Sequence, residues 1–372
     1  MERPMNSFNP CTHNSVAESF VESGENQRDS FMIIAGRANR AAVKIAQRTL
    51  NRNTRENRPQ SAANEVHTAD YAVPFPHHVL PEQARQIDDR FVRFRAIGRS
   101  DAPTVLVLGG ISAGRMIGEP DATAWWPEII GVGKAIDTTK YRVIGVDYFP
   151  LAPKNAIDLS PNDFARVYLA ALEKLGVLRL HGIIGASFGG MIAQEMAVIA
   201  PEKIERLCVL CAADKPSAMG RAWRRVQQRI IDLGQRFGAA DEGAAIAREL
   251  AVTTYRTSAE FNDRFRDDQS VEDYLGYQGE KFLQNMSPVR YRTLSAAIDR
   301  HAIDPCKITL PVTVIAFEED QLVPVEDARR LAQGVAGRSR FHLFSSPYGH
   351  DAFLKESALI GPVIKSCLEE RN

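Results

Sequence analysis

From Asp101 onward, short apolar runs of strand length alternate with stretches whose apolar residues recur at helical spacing. "PTVLVLGG" (103–110) ends in a glycine pair, and "YRVIGVDY" (141–148) follows. "PNDFARVYLAALEKLG" (161–176) reads as a helix with Pro161 in its first turn, where the missing N–H has no intrahelical partner to lose. Next come "LHGIIGAS" (180–187), a helix over 189–199, and the strand "IERLCVLCAA" (204–213). "PVTVIAFEED" (311–320), the helix "VEDARRLAQGV" (325–335), "RFHLFSS" (340–346) and a terminal helix from Asp351 complete the series. This alternation predicts an α/β architecture, a mostly parallel sheet with helices on both faces.

The series is interrupted between Asp214 and Cys306, where "RAWRRVQQRIIDLG", "DEGAAIARELAVTTYR" and "VEDYLGYQGEKFLQNM" all have helical character. A helical insertion over 214–306 is therefore expected, dividing a core of 71–213 and 307–372. Open α/β sheets bind ligands at the carboxyl edge of their strands, so an insertion placed there is expected to act as a lid. Residues 1–70 read differently. They open polar and aperiodic, and from Arg28 to Arg58 carry eight basic and two acidic residues around "FMIIAG". They are expected to be a disordered or targeting tail: a solvated extension, the product of an upstream start codon, or an organelle transit peptide.

Composition narrows the partners. The 372 residues hold 46 basic and 46 acidic side chains, so net charge argues for neither nucleic acid nor an anionic membrane. No apolar run approaches the roughly 18 residues of a membrane span. Five cysteines without a spacing framework fit a reducing, cytoplasmic compartment. Cys208 and Cys211 form a C-x-x-C inside an apolar strand, where residues three apart face opposite ways, so no metal pair is expected.

The chemistry concentrates at "GASFGG" (185–190), a G-x-S-x-G set between a strand and a helix. Small neighbours permit a tight corner, and the helix amides beyond Ser187 favour developing negative charge. A serine that merely caps the helix is the plainer alternative. A nucleophilic serine needs a base, and the base an orienting acid. "FEEDQLVP" places Asp320 past one late strand, and "SSPYGHDAFL" places His350 past the next; Glu318, Glu319 and Asp351 compete for the acid's role. The backbone amide of Phe188, with that of Gly110 or Ile111 from "LGGISAGR", would form an oxyanion hole. Arg221, Arg225 and Arg229 repeat at four-residue spacing, as either a solvated face or a charged wall of a cleft.

Taken together, "LGGISAGR", "GASFGGM", "TTYR", "YLGYQGEKF", "EEDQLVP" and "SSPYGHDAFL" resemble the homoserine O-acyltransferase family, and its succinyl-transferring and serine-acylating branch in particular. The resemblance covers Pro103 to the C-terminus. It implies an α/β-hydrolase fold and double-displacement transfer of a succinyl or acetyl group from coenzyme A to the hydroxyl of homoserine or serine, in methionine or cysteine biosynthesis. Acyl-coenzyme A is then a co-substrate, and no bound cofactor or metal is implied. Residue by residue, the resemblance makes Ser187 the nucleophile, Asp320 the acid, His350 the base, Asp351 the partner of the acceptor's amino group, and Arg229 the partner of its carboxylate. A succinyl donor brings a second carboxylate, for which Arg115 or Arg225 is the candidate. A homodimer formed through the lid is a further expectation. A serine ester hydrolase with the same triad is the alternative.

Overall fold

Two strands precede the series that the apolar runs predict. In the computed structural model, which describes residues 66–370, β1 (His67–Pro74) and β2 (Phe91–Gly98) pair antiparallel. β1 begins at His67, inside the segment assigned above to the tail, and the basic stretch 28–58 lies outside the described residues. β1 is an edge strand and mostly exposed, and β2 sets Arg93 and Arg95 between its buried positions. Strands with one wet face carry only a weak apolar signal.

β3 (Thr104–Leu108) is followed by the short parallel pair β4 (Ile130–Gly131) and β5 (Ile136–Asp137), then by β6 (Arg142–Val146). Helix α1 (Pro161–Lys174), β7 (Gly182–Ala186), α2 (Phe188–Ile199) and β8 (Leu207–Leu210) come next. Five helices then intervene: α3 (Ala218–Arg236), α4 (Ala240–Tyr255), α5 (Ser258–Arg264), α6 (Asp268–Leu283) and α7 (Pro288–Asp299). Four of their starts carry side-chain caps, from Ser217, Thr257, Asp267 and Ser287. The chain returns through β9 (Val312–Phe317), α8 (Val325–Gly334), β10 (Ser339–Phe344), α9 (Ala352–Lys355) and α10 (Ser357–Glu369).

The eight long strands form one sheet in the order β1-β2-β6-β3-β7-β8-β9-β10, in which β2 alone runs against its neighbours. The central strands are buried on both faces. Leu106, Leu108 and Ile183 face α1 and α2, whereas Val105, Val107 and Ile184 face Ile360 and Ile364 of α10. This two-sided burial explains why those strands read as unbroken apolar runs. All carboxyl ends of the parallel strands β3, β7, β8, β9 and β10 lie along one edge, and the loops from that edge assemble the site. No helix among the described residues is long and apolar enough to cross a membrane.

Candidate active site

Between β7 and α2 the chain turns at a single residue. Ser187 has φ 53° and ψ −120°, a conformation costly for a residue with a Cβ and held by its surroundings. Its N–H donates to Leu210 O at 2.9 Å, and Gly189 N–H donates to Gly109 O at 2.9 Å, tying the corner to β8 and to the loop after β3. Glycine is required here by contact: a Cβ on Gly189 would lie 2.3 Å from Leu108 O, and one on Gly185 2.6 Å from Gly189 O.

The corner projects the hydroxyl onto the residues that the late strands supply. Ser187 Oγ is 2.9 Å from His350 Nε2, and His350 Nδ1 is 2.8 Å from Asp320 Oδ2. Asp320 Oδ1 accepts the N–H groups of Leu322 and Val323 at 2.9 and 3.0 Å, so its loop fixes the carboxylate. His350 enters from the 3-10 turn Gly349–Asp351, and both His350 and Asp320 are buried. Of the competing acids, Glu319 accepts from the Ser345 hydroxyl and the Ser346 N–H, and Glu318 is exposed. Burial opposes charge on His350, but the neighbouring Asp320 carboxylate and, further off, Asp351 outweigh it, and the imidazole's pKa rises above its ordinary value. An imidazole hydrogen-bonded in this way can take the serine proton at Nε2 while Nδ1–H stays with the acid.

Gly110 and Ile111 line the cavity in front of Ser187, on a loop held by Tyr148 O–H donating to Gly109 O at 2.6 Å. Phe188 opens α2 directly after the nucleophile, with its ring buried against Tyr148 and Phe164, centroids 5.1 and 5.2 Å away. The cavity measures about 190 Å³ and lies between the strand loops and the inserted helices.

The insertion places its charges differently from the sequence-based expectation. Arg225 and Arg229 are exposed on α3 and do not line the cavity. The inward row is Arg224, Gln227, Gln228 and Ile231, one position out of phase with the expected face. Buried glutamines make that row look polar, so hydrophobicity did not mark it. Arg115 also lies outside the cavity, where Asp147 and Asp70 hold its guanidinium. Asp351 does line the cavity, yet Arg256 Nε bonds its carboxylate at 2.8 Å, and Arg256 Nη1 reaches Glu260 at 3.1 Å.

Two cavity-lining arginines were not anticipated. Arg224 donates from Nε to Asp299 at 2.7 Å, but its Nη2 is buried with no hydrogen-bond partner. Arg248 stacks over Tyr255 and Phe282, 5.3 and 4.9 Å from their centroids, and its Nε is likewise buried without a partner. A signal existed for Arg248, because it interrupts the otherwise apolar helical row Ala244, Ala251 and Tyr255. Unpartnered buried donors of this kind call for a ligand or water. Cys208 lies against Cys367, whereas Cys211 lines the cavity; Cys211 falls just past β8 with φ 50°, so strand alternation does not reach it, and both cysteines pack in the same apolar cluster. Cys211 Sγ, an Asp320 oxygen and a His350 nitrogen lie within 4.8 Å of one another, the one group among the described residues that could hold a metal ion. Its histidine and carboxylate are already bonded to each other.

Residues 103–357 match the family model of the alpha/beta hydrolase fold. A homoserine O-succinyltransferase of Xanthomonas campestris pv. campestris is 34% identical over 292 residues, which is 74% of this chain and 78% of that one. The chain belongs to the homoserine O-acyltransferases. A second member, a homoserine O-acetyltransferase of Thermus thermophilus, is 29% identical over 66% of this chain and 72% of its own. The crystal structure of homoserine O-acetyltransferase from Bacillus anthracis superimposes with a TM-score of 0.71 at 18% identity, covering 82% of this chain and 98% of that one. The enzyme of that name from Staphylococcus aureus superimposes at 0.70 with 24% identity, covering 83% and 97%. These two likenesses concern the fold alone.

Proposed function

We propose that the protein is an O-acyltransferase that moves a succinyl or acetyl group from coenzyme A to the side-chain hydroxyl of homoserine or serine. The observation that carries the reading is the Ser187–His350–Asp320 chain of hydrogen bonds, 2.9 and 2.8 Å long, at the floor of a cavity whose insertion wall offers two unpartnered guanidinium donors. A simple esterase needs the first feature; a charged acceptor or donor makes use of the second.

Ser187 Oγ attacks the thioester carbonyl as its proton passes to His350 Nε2, and the amides of Phe188 and of Gly110 or Ile111 hold the oxyanion. The C–S bond breaks, the imidazolium returns the proton to sulfur, and coenzyme A leaves. The acceptor hydroxyl then gives its proton to His350 and attacks the Ser187 ester, which restores the free serine. Arg224 and Arg248 serve the carboxylates of acceptor and donor, through charge-assisted bonds. Asp351, held in place by Arg256, attracts the acceptor's ammonium. The five inserted helices act as the lid that keeps water from the acyl-enzyme.

The activity would serve methionine or cysteine biosynthesis in a reducing, cytoplasmic compartment. Met219, Val226, Leu233 and Phe237 are exposed along α3 at helical spacing, and we assign a homodimer contact to that face of the insertion. Light scattering of the wild type and of Phe237→Glu tests the dimer. The function is tested by a matrix of succinyl- and acetyl-coenzyme A against homoserine and serine, with product analysis. Ester product from at least one pair is expected; release of free acid alone from every donor would favour the hydrolase.

A further inference from the structure

Cys211 stands at the corner where β8 has ended and the carboxyl edge of the sheet begins. Its φ of 50° is uncommon for a residue with a Cβ, and its N–H donates to Ile315 O at 3.0 Å, on the strand that leads to Asp320. From that corner its Sγ lies within 4.8 Å of an Asp320 oxygen and of a His350 nitrogen, and the thiol is hydrogen-bonded to the Asp320 carboxylate. The sulfur also accepts the backbone N–H of Phe353, three residues past the catalytic base. Cys211 therefore joins the loop of the acid to the turn of the base, yet no step of acyl transfer uses it.

A buried carboxylate offers about four lone-pair positions, and each needs a donor. Asp320 takes the Leu322 and Val323 amides on Oδ1 and His350 Nδ1–H on Oδ2, which accounts for three. The Cys211 S–H supplies a fourth. Burial first, and then the charges of Asp320 and Asp351, push the Cys211 thiol well above its ordinary range, so it keeps the proton that it donates. A further donor on the carboxylate withdraws charge from it and so weakens its attraction for an imidazolium. The other charged groups facing His350 are Asp351 from its own turn and Arg224 from α3. Tyr255 of α4 and Phe353 of α9 present rings with centroids 6.0 Å away, and burial keeps the Tyr255 phenol protonated.

We propose that Cys211 is a positioning residue of the triad, whose S–H fixes the Asp320 carboxylate against the imidazole and tempers its pull on the Nδ1 proton. The inference rests on the triad and on no particular acyl donor. Acylation of Ser187 by p-nitrophenyl acetate, followed against pH, therefore tests it without coenzyme A or an amino acid. Cys211→Ala and Cys211→Ser both remove the volume of the sulfur, so any packing loss is common to them, but serine keeps an O–H donor. Cys211→Ala is expected to move the acid limb up by about 0.5 pH unit and to lower the plateau rate about three- to ten-fold. Cys211→Ser should restore most of both, and an NMR titration of His350 should follow the same order. Melting curves compare the folding of the two variants. The infrared S–H stretch needs no cysteine variant: one S–H band should lie at lower frequency in the wild type than in Asp320→Asn, where the acceptor has lost its charge. An alanine variant with the acid limb and plateau of the serine variant would overturn the assignment, as would an S–H region identical in wild type and Asp320→Asn. A wild type that takes the ester but no thioester would refute the acyltransferase reading, and the same pH profiles would still judge Cys211.

Discussion

Replacing Arg224 by glutamine isolates the charge that the inserted helices bring to the nucleophile. The Arg224 side chain is 11% exposed, its Nε is held by Asp299, and its Nη2 has no hydrogen-bond partner. A substrate carboxylate reaching that N–H would make a charge-assisted bond contributing about 1.5–3 kcal/mol, or about a 10- to 160-fold change in KM. Asp299 is not stranded by the change, because Gln228 Nε2 also donates to it at 3.0 Å, so the fold should tolerate the substitution. A second effect has a definite sign. Arg224 opposes protonation of His350, and its removal should raise that pKa further. Activity requires neutral His350, so the acid limb of the kcat/KM profile should move to higher pH. Steady-state KM values for donor and acceptor, measured separately, identify which carboxylate is bound, and a melting curve controls for folding. Arg224→Lys should restore the pH limb more fully than KM, because it returns the charge without the fork. Unchanged KM values for both substrates together with an unmoved acid limb would refute the assignment.

Asp351 raises the His350 pKa, so Asp351→Asn should move the acid limb to lower pH and increase the acceptor's KM, while acyl-enzyme formation from donor alone stays close to normal. Collapse of that first half-reaction would instead place Asp351 in the catalytic machinery. Asp320→Asn keeps an oxygen for the Leu322 and Val323 amides but disturbs the imidazole tautomer, and kcat should fall about 10⁴-fold with little change in Tm. Gly189→Ala puts a Cβ 2.3 Å from Leu108 O at the junction of α2 and β3, so Tm should drop by the equivalent of about 1–3 kcal/mol or more, with activity lost as the corner shifts. An unchanged Tm would mean the corner is less tightly determined than its contacts indicate.

The elements that were legible in the chain are those whose environment leaves one chemical choice. β3, β7, β8 and β9 are buried on both faces, so their residues, Thr104 and Thr313 apart, are apolar or glycine, and each stood out as a run. Ser187 was marked by glycines that steric contact demands, Asp320 by its place just past β9, and His350 by its place past the less buried β10. β1, the edge strand, and β2 beside it escaped notice because their solvent-facing positions admit threonine and arginine. The inward face of α3 was missed for a related reason: its wall of the cavity is made by Arg224 and Gln227, so burial and hydrophobicity part company there. The Arg256–Asp351 pair joins residues 95 positions apart, from the end of α4 to the loop after β10, and no local periodicity can announce such a contact.

The claim on which the others depend is that Ser187 carries the acyl group between donor and acceptor. Intact-protein and peptide mass spectrometry after rapid mixing with succinyl- or acetyl-coenzyme A, without acceptor, tests it directly. An adduct of the acyl mass on the peptide containing Ser187 is expected, discharged when homoserine or serine is added and absent from Ser187→Ala. Substantial turnover by Ser187→Ala, or an adduct on a different residue that forms and discharges at the catalytic rate, would contradict it.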